Sequence, residues 1–164
     1  MTATDSTSQN DLPTQFRAAM RRLAASVAIV VAKGDEGPVG MAATSITSLT
    51  VDPPAILVCV NRATHLHALL VPSAPLSVNL LSRSQQEVSA AFGGGRSGAE
   101  RFEVGRWVEG ANGLPVLEEA QANLQCVIDT MLAYGTHSIA IARVQNATIN
   151  GPVDPLIYQD GRYL

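Results

Sequence analysis

The chain has 164 residues, of which 46% are hydrophobic and only 15% charged, with a net charge of −3. That length suits a single domain with a sizeable core, and so few charges hint that part of the surface is covered in a dimer. Lys33 is the one lysine among eleven cationic side chains, and no basic block or basic–aromatic interleaving occurs, which argues against nucleic acid as a partner.

The first fifteen residues are rich in Thr, Ser, Asp, Asn and Gln and lack an apolar run. They read as a flexible arm over 1–15, neither a signal peptide nor a membrane span, ahead of one domain over 16–164. Phe16, Met20 and Leu23 recur at helical spacing with arginines opposite, which predicts an amphipathic helix over Phe16–Ala24. Val27–Ala32 is β-branched and reads as a strand closed by the turn Gly34–Pro38.

The stretch GMAATSITSLTVDPPAIL, Gly40–Leu57, then packs five hydroxyls into seven positions: Thr44, Ser45, Thr47, Ser48 and Thr50. Ala55–Val60 is a nearly continuous apolar run, as in a strand covered on both faces. Thr64 caps a short helix to Leu70, Leu76–Leu81 is a strand, and Ser82 or Ser84 caps a helix through Phe92 that Gly93 stops. The polar, glycine-rich segment Gly94–Gly113 is expected to be pinned by Phe102 and Trp107. Two long strands, Asn123–Ala133 and Ser138–Ala147, meet at Tyr134–His137, and Leu156–Tyr158 with Tyr163-Leu164 forms a last short hairpin.

Six or seven strands with three helices and short turns predict a mainly β fold, closed or nearly closed into a barrel. Cys59 and Cys126 each sit alone in an apolar run. They are expected to be small core residues of a reduced, soluble, cytoplasmic protein, without a disulfide or a metal.

Two motifs mislead. Gly93–Gly98 matches G-x-G-x-x-G, but a helical stretch precedes it and a polar loop follows, whereas a dinucleotide fingerprint needs a strand before and a helix after. His65 and His67 fall in a helix, where positions two apart diverge, and no Cys, Asp or Glu nearby completes a metal set.

The hydroxyl stretch carries more. Thr and Ser favour strands and turns, which is one account of it. The other is a strand edge facing a polar heteroaromatic ring, because hydroxyls both donate and accept. Arg62-Ala63-Thr64 adds a guanidinium, a hydroxyl and helix-start amides, the chemistry of a phosphate site. Together the two segments point to an anionic heteroaromatic cofactor.

The segments GMAATSITSLTVDPPAILVCVNRAT, LSVNLLSRSQQEVSAAFGG, ERF, GLPVLEEAQANLQC, YGTHSIAIARV and PLIYQDGRY, in this order, resemble the flavin reductase-like, FMN-binding split-barrel family. The resemblance spans Phe16 to Leu164 and is strongest to reductase components of two-component flavin monooxygenases, of the 4-hydroxyphenylacetate 3-monooxygenase type. It implies a homodimer of split β-barrels that binds FMN or FAD near the dimer interface. It also implies reduction of that flavin by NADH or NADPH, and delivery of reduced flavin to a partner oxygenase.

Carried onto this chain, the resemblance puts Thr44, Ser45, Ile46 and Thr47 along the isoalloxazine, continued by Ser48 and Leu49. Cys59 and Asn61 would lie on the next strand, with Arg62, Ala63 and Thr64 at the ribityl phosphate. Ser82, Gln85, Phe92, Arg101 and Tyr158 would stand near the cofactor. His137 would serve the nicotinamide side as the catalytic residue. It stands in Gly-Thr-His where many members read Gly-Asp-His, so its ring lacks the usual carboxylate neighbour. The Gly93–Gly98 loop could meet the adenylate of FAD, and Arg96, Arg101 and Arg106 either meet a 2′-phosphate or are simply solvated. The alternatives are a flavin-binding module without reductase activity, and a reductase acting on another acceptor such as a corrinoid or iron complex.

Overall fold

The computed structural model describes residues 11–164. The chain opens with helix α1, Leu12–Met20, started by Asp11, whose carboxylate accepts from the Thr14 amide, with Pro13 in the first turn. This corrects the expected helix over Phe16–Ala24. The N-cap and the proline move the start four residues earlier, so residues 12–15 are helical behind Asp11, and residues 1–10 of the expected arm lie outside the described residues. The stripe Leu12, Phe16, Met20 and Leu23 is exposed. Beyond the helix, the Arg21 and Arg22 carbonyls accept from Asp160 N and Gln159 Nε2, which ties its end to the C-terminal hairpin.

Twelve strands follow among the described residues. Seven form the main sheet: β2 (Ala28–Gly34), β3 (Gly37–Ala43), β4 (Ile46–Val51), β5 (Pro54–Asn61), β6 (Pro75–Leu80), β9 (Ala122–Tyr134) and β10 (His137–Ile149), in the order β3-β2-β6-β9-β10-β5-β4. Every pairing is antiparallel. The 13-residue strands β9 and β10 make a hairpin about 40 Å long on which the others are staggered. β6 pairs with the open end of β9, from Ala122 to Val127, and β5 with the turn end of β10, from His137 to Arg143. The two edge strands, β3 and β4, are joined by Thr44 and Ser45 alone. The sheet therefore has to curl until its edges meet, although they form no ladder with each other.

Strand period two sorts the side chains. Ala28, Val30, Ile56, Val58, Val60, Leu76, Val78, Ile128, Ala140 and Ala142 fill the inside of the curl, and helix α2 (His65–Leu69) plugs it with Leu66, followed by Leu70. Val27, just before β2, and Ile29 and Val31 on its opposite face pack under Val88, Ala91 and Phe92 of helix α3 (Gln86–Ala90) and the turn after it. β2 is thus covered on both faces, and its run AIVVA is the most buried in the chain.

The segment expected to be a polar loop over 94–113 contains strand β7 (Trp107–Glu109), paired with β8 (Pro115–Leu117). Buried amides fix this hairpin to the sheet. Asn79 Oδ1 accepts from the Leu117 amide and from Asn123 Nδ2, both at 2.8 Å. The last small sheet joins β1 (Ala25–Ser26) to β11 (Ile157–Gln159) and β12 (Arg162–Tyr163), the expected C-terminal hairpin.

Candidate functional site

A cleft of about 990 Å³ runs along the free edge of β3, from the β2–β3 turn to Ala42. One wall is the start of α2, with Thr64, His65, Leu66 and Leu69; the other is the flap 92–102. Thr64 caps α2 by accepting from the His67 amide, and its hydroxyl donates to the Asn61 carbonyl at 2.8 Å. The flap is held at two points. Arg101 Nη1 donates to the Gly40 carbonyl at 2.8 Å, and the Phe92 ring lies on Gly40, where a Cβ would come within 2.8 Å of Cδ1 and closer still to Cε1. On an antiparallel strand a residue's N–H and C=O share a side, so the Gly40 and Ala42 amides face the cleft as well.

Thr64, Phe92 and Arg101 are the expected cofactor residues that line this cleft. A second group gathers on the outer face of the sheet beyond the Thr44–Ser45 link. The Ser45 carbonyl accepts from Cys59 N at 3.0 Å, Thr47 pairs with Leu57, and Asn61 pairs with His137. The Arg62 amide donates to the Thr136 carbonyl at 2.9 Å, which ties the Arg62–Thr64 turn to the β9–β10 turn. Ile46 turns inward against the core, while Thr44, Ser45, Thr47, Ser48 and Leu49 are exposed.

His137 is exposed at the start of β10, with Nδ1 2.9 Å from the Thr136 hydroxyl. The threonine of Gly-Thr-His thus provides the ring partner that the missing carboxylate would have been, and leaves Nε2 open. His65 and His67 diverge: His65 lines the cleft, and His67 Nε2 sits 2.9 Å from Ser138 Oγ.

Ser82, Gln85 and Tyr158 lie at a third place. The Ser82 amide donates to Gln85 Oε1 at 2.9 Å in a capping box, so Gln85 ends the turn into α3. Ser82 is two strands from Thr44, ~10 Å across the sheet. Tyr158 pairs with Ala25 and packs edge-on against Tyr163, whose hydroxyl is 2.8 Å from Ser89 Oγ. Arg96 pairs with Glu103 and Arg106 with Glu118, at 3.8 and 2.6 Å, so each already meets a carboxylate. The G-x-G-x-x-G stretch follows α3 and leads into a 3₁₀ turn at Gly98–Glu103, without a preceding strand.

The donors and acceptors present fit a flavin nucleotide. The hydroxyls of Thr44, Ser45, Thr47 and Ser48 make no hydrogen bond to another protein group among the described residues, whereas Thr50 is engaged with Asp52. Arg62 meets no carboxylate there, only the Gly135 carbonyl at 3.4 Å. Sequence reasoning missed His65, Gly40 and the edge amides of β3. Gly40 within GPVGMAA was the available signal, since a strand glycine often marks a close approach.

Comparison with known proteins agrees. Residues 20–164 match the family model described as a flavin reductase like domain. FMN reductase (NADH) RutF of Pseudomonas syringae pv. syringae (strain B728a) is 38% identical over 148 residues, covering 90% of this chain and 83% of that protein. The reductase component of FADH(2)-dependent resorcinol hydroxylase of Rhizobium sp. (strain MTP-10005) is 38% identical over 150 residues, 90% of this chain and 84% of its own. The solved structure of NADH:FAD oxidoreductase from Streptomyces globisporus C-1027, with NAD and FAD fragments, superposes with a TM-score of 0.85 at 26% identity, covering 99% of this chain and 96% of that one.

Proposed function

The chain belongs to the flavin reductase-like domain family, and from that premise we propose that it reduces FMN or FAD with NADH or NADPH and supplies the reduced flavin to a partner oxygenase. The observation that carries this reading is the set of four unpartnered hydroxyls, Thr44, Ser45, Thr47 and Ser48, next to an Arg62 that meets no carboxylate among the described residues. When bound, the flavin supplies the redox chemistry by accepting a hydride from the nicotinamide. The hydroxyls can serve the ring's alternating donors and acceptors, and Arg62 the phosphate. His137, turned by Thr136, presents Nε2 to the nicotinamide.

The same reading includes a homodimer. The cleft lining does not include Thr44, Ser45, Thr47, Ser48, Arg62 or His137, and a second copy would complete the site beside them. The outer face carries rows of apolar side chains in register, Leu132–Ile139–Cys59 and Ile141–Leu57, next to the row Tyr134–His137–Asn61. Leu132 is 50% exposed on it. A second copy laid there would bury these rows and bring its own residues to His137. The curled sheet with joined but unladdered edges supports a split barrel, and the free thiols Cys59 and Cys126 suit a reduced cytoplasm.

The test is NADH and NADPH oxidation under air with FMN, with FAD and without flavin, beside the solution mass by light scattering. Flavin-dependent oxidation by a dimer is expected. Flavin bound without oxidation would leave a binding module, and a monomer with full activity would refute the shared site.

A further inference from the structure

A second cavity, of about 450 Å³, lies on the other side of the β2–β3 hairpin, against the β7–β8 hairpin. Its lining includes the flat side chains of Pro38, Pro115 and Trp107, together with Val108 and Leu114. The Trp107 N–H is already bonded to the Val104 carbonyl at 2.9 Å, so the ring offers the cavity a surface rather than a donor. Lys33, Asp35 and Glu109 are the charged side chains lining it, and none forms an ion pair with another described residue. Trp107, Glu109 and Pro115 share one face of the two-stranded ribbon, since Glu109 pairs with Pro115 and Trp107 is two residues away.

This chemistry selects a ligand class. Planar apolar walls favour an aromatic ring. One cation facing two carboxylates disfavours an anionic substituent but suits a neutral hydroxyl, which can donate to Asp35 or Glu109 and accept from Lys33. The volume lies within the range of small-molecule sites and holds one or two rings.

The cavity is also wired to the cleft. Gly34, Asp35, Gly37 and Pro38 line both. Trp107 touches Phe92 and Phe102 of the cleft wall, with ring centroids 5.3 and 5.1 Å away. A ligand seated on Trp107 therefore pushes on the strand and the aromatic cluster that shape the cleft.

We propose that this cavity is a second site, for small neutral hydroxyarenes, and that its occupancy changes flavin affinity in the cleft. The first half stands on the cavity alone; the second rests on the flavin reading above. Trp107 is the chain's one tryptophan and reports on the site directly. Phenol titrated into flavin-free protein should change Trp107 fluorescence saturably. Benzoate, which keeps the ring but adds a charge, and cyclohexanol, which keeps the hydroxyl but lacks the planar ring, should each bind at least about tenfold more weakly.

Glu109→Phe, on the ribbon face that Trp107 and Pro115 share, should fill the cavity and abolish the phenol response. Lys33→Met should weaken it independently. A linear, unsaturating response, equal binding of benzoate, or a response that survives Glu109→Phe would overturn the site. At saturating phenol the Kd for FMN should shift by about threefold or more, in either direction, and the shift should vanish in Glu109→Phe. An unchanged Kd would overturn the coupling. Failure to bind FMN at all would instead count against the flavin reading, because the phenol titration does not use it.

Discussion

Gly40→Ala is the most direct test of how the flap is seated. The added Cβ would lie 2.8 Å from Phe92 Cδ1, closer to Cε1, and 3.3 Å from Phe102 Cζ. Carbon atoms pack best at about 3.5–4.0 Å, so the Phe92 ring would have to retreat by about 1 Å. It has little room, being 1% exposed and set edge-on to Phe102 at a centroid distance of 5.0 Å. Overpacking of this kind costs about 1–3 kcal/mol, against a gain of about 0.5–1 kcal/mol from replacing a strand glycine. The net is up to about 2.5 kcal/mol, a fall in Tm of up to about 10 °C for a chain of this size. Flavin affinity should fall as well, because the ring that moves is a wall of the cleft. Differential scanning calorimetry and flavin fluorescence quenching read the two effects. Pairing the change with Phe92→Leu should make the double variant lose less than the sum of the singles, by about 0.5 kcal/mol or more. A Tm above wild type would refute the packing argument, and strict additivity would show that the strain lies elsewhere.

Thr136→Val removes the hydroxyl at His137 Nδ1. It should raise the KM for NADH several-fold while leaving the Kd for FMN near wild type, and His137→Ala should do so more strongly, as steady-state kinetics would show. Arg62→Ala should weaken FMN by about 10–100-fold, the worth of a charge-assisted hydrogen bond, but riboflavin hardly at all, since riboflavin lacks the phosphate; equal losses in titrations of both would remove Arg62 from the phosphate. Burial pushes the Cys126 thiol up from 9.0 to about 12. Above about pH 9 the unfolded chain loses a proton that the folded chain keeps, so stability should fall as pH rises, at up to about 1.4 kcal/mol per pH unit until about pH 12. Urea denaturation of wild type and Cys126→Ala across this window should show the extra slope in wild type alone.

Local signals with a stereochemical cause were readable from the residues. Thr64 as a cap, Ser82 opening the turn into α3, the apolar runs of β2 and β5, and the β9–β10 hairpin all appear in the structure near their expected bounds. The context argument against the glycine fingerprint also holds, because it rests on what flanks the motif. β3 was not legible: Gly37–Ala43 contains two glycines and a proline, and it is a strand because β2 templates it along its whole length. The β7–β8 hairpin was hidden for a similar reason. The amides of Asn79 and Asn123, which lie 44 positions apart, hold it to the sheet.

The hydroxyl cluster shows where reading a motif along the chain runs out. A strand sends alternate residues to opposite faces, so consecutive residues cannot all touch one ring through their side chains. Here Ile46 goes into the core and Thr47 to the outer face beside Leu57, while Thr50 bonds the backbone of Asp52. What the cluster has in common is its place, at the joint where the sheet passes from its β3 edge to its β4 edge. There both edges leave backbone amides unladdered, and short polar side chains add donors without filling the gap. The five hydroxyls therefore do separate work: two at the joint and three on β4, the last of them bonding the backbone of the turn at Asp52. Their concentration reflects a sheet that has to turn over within two residues.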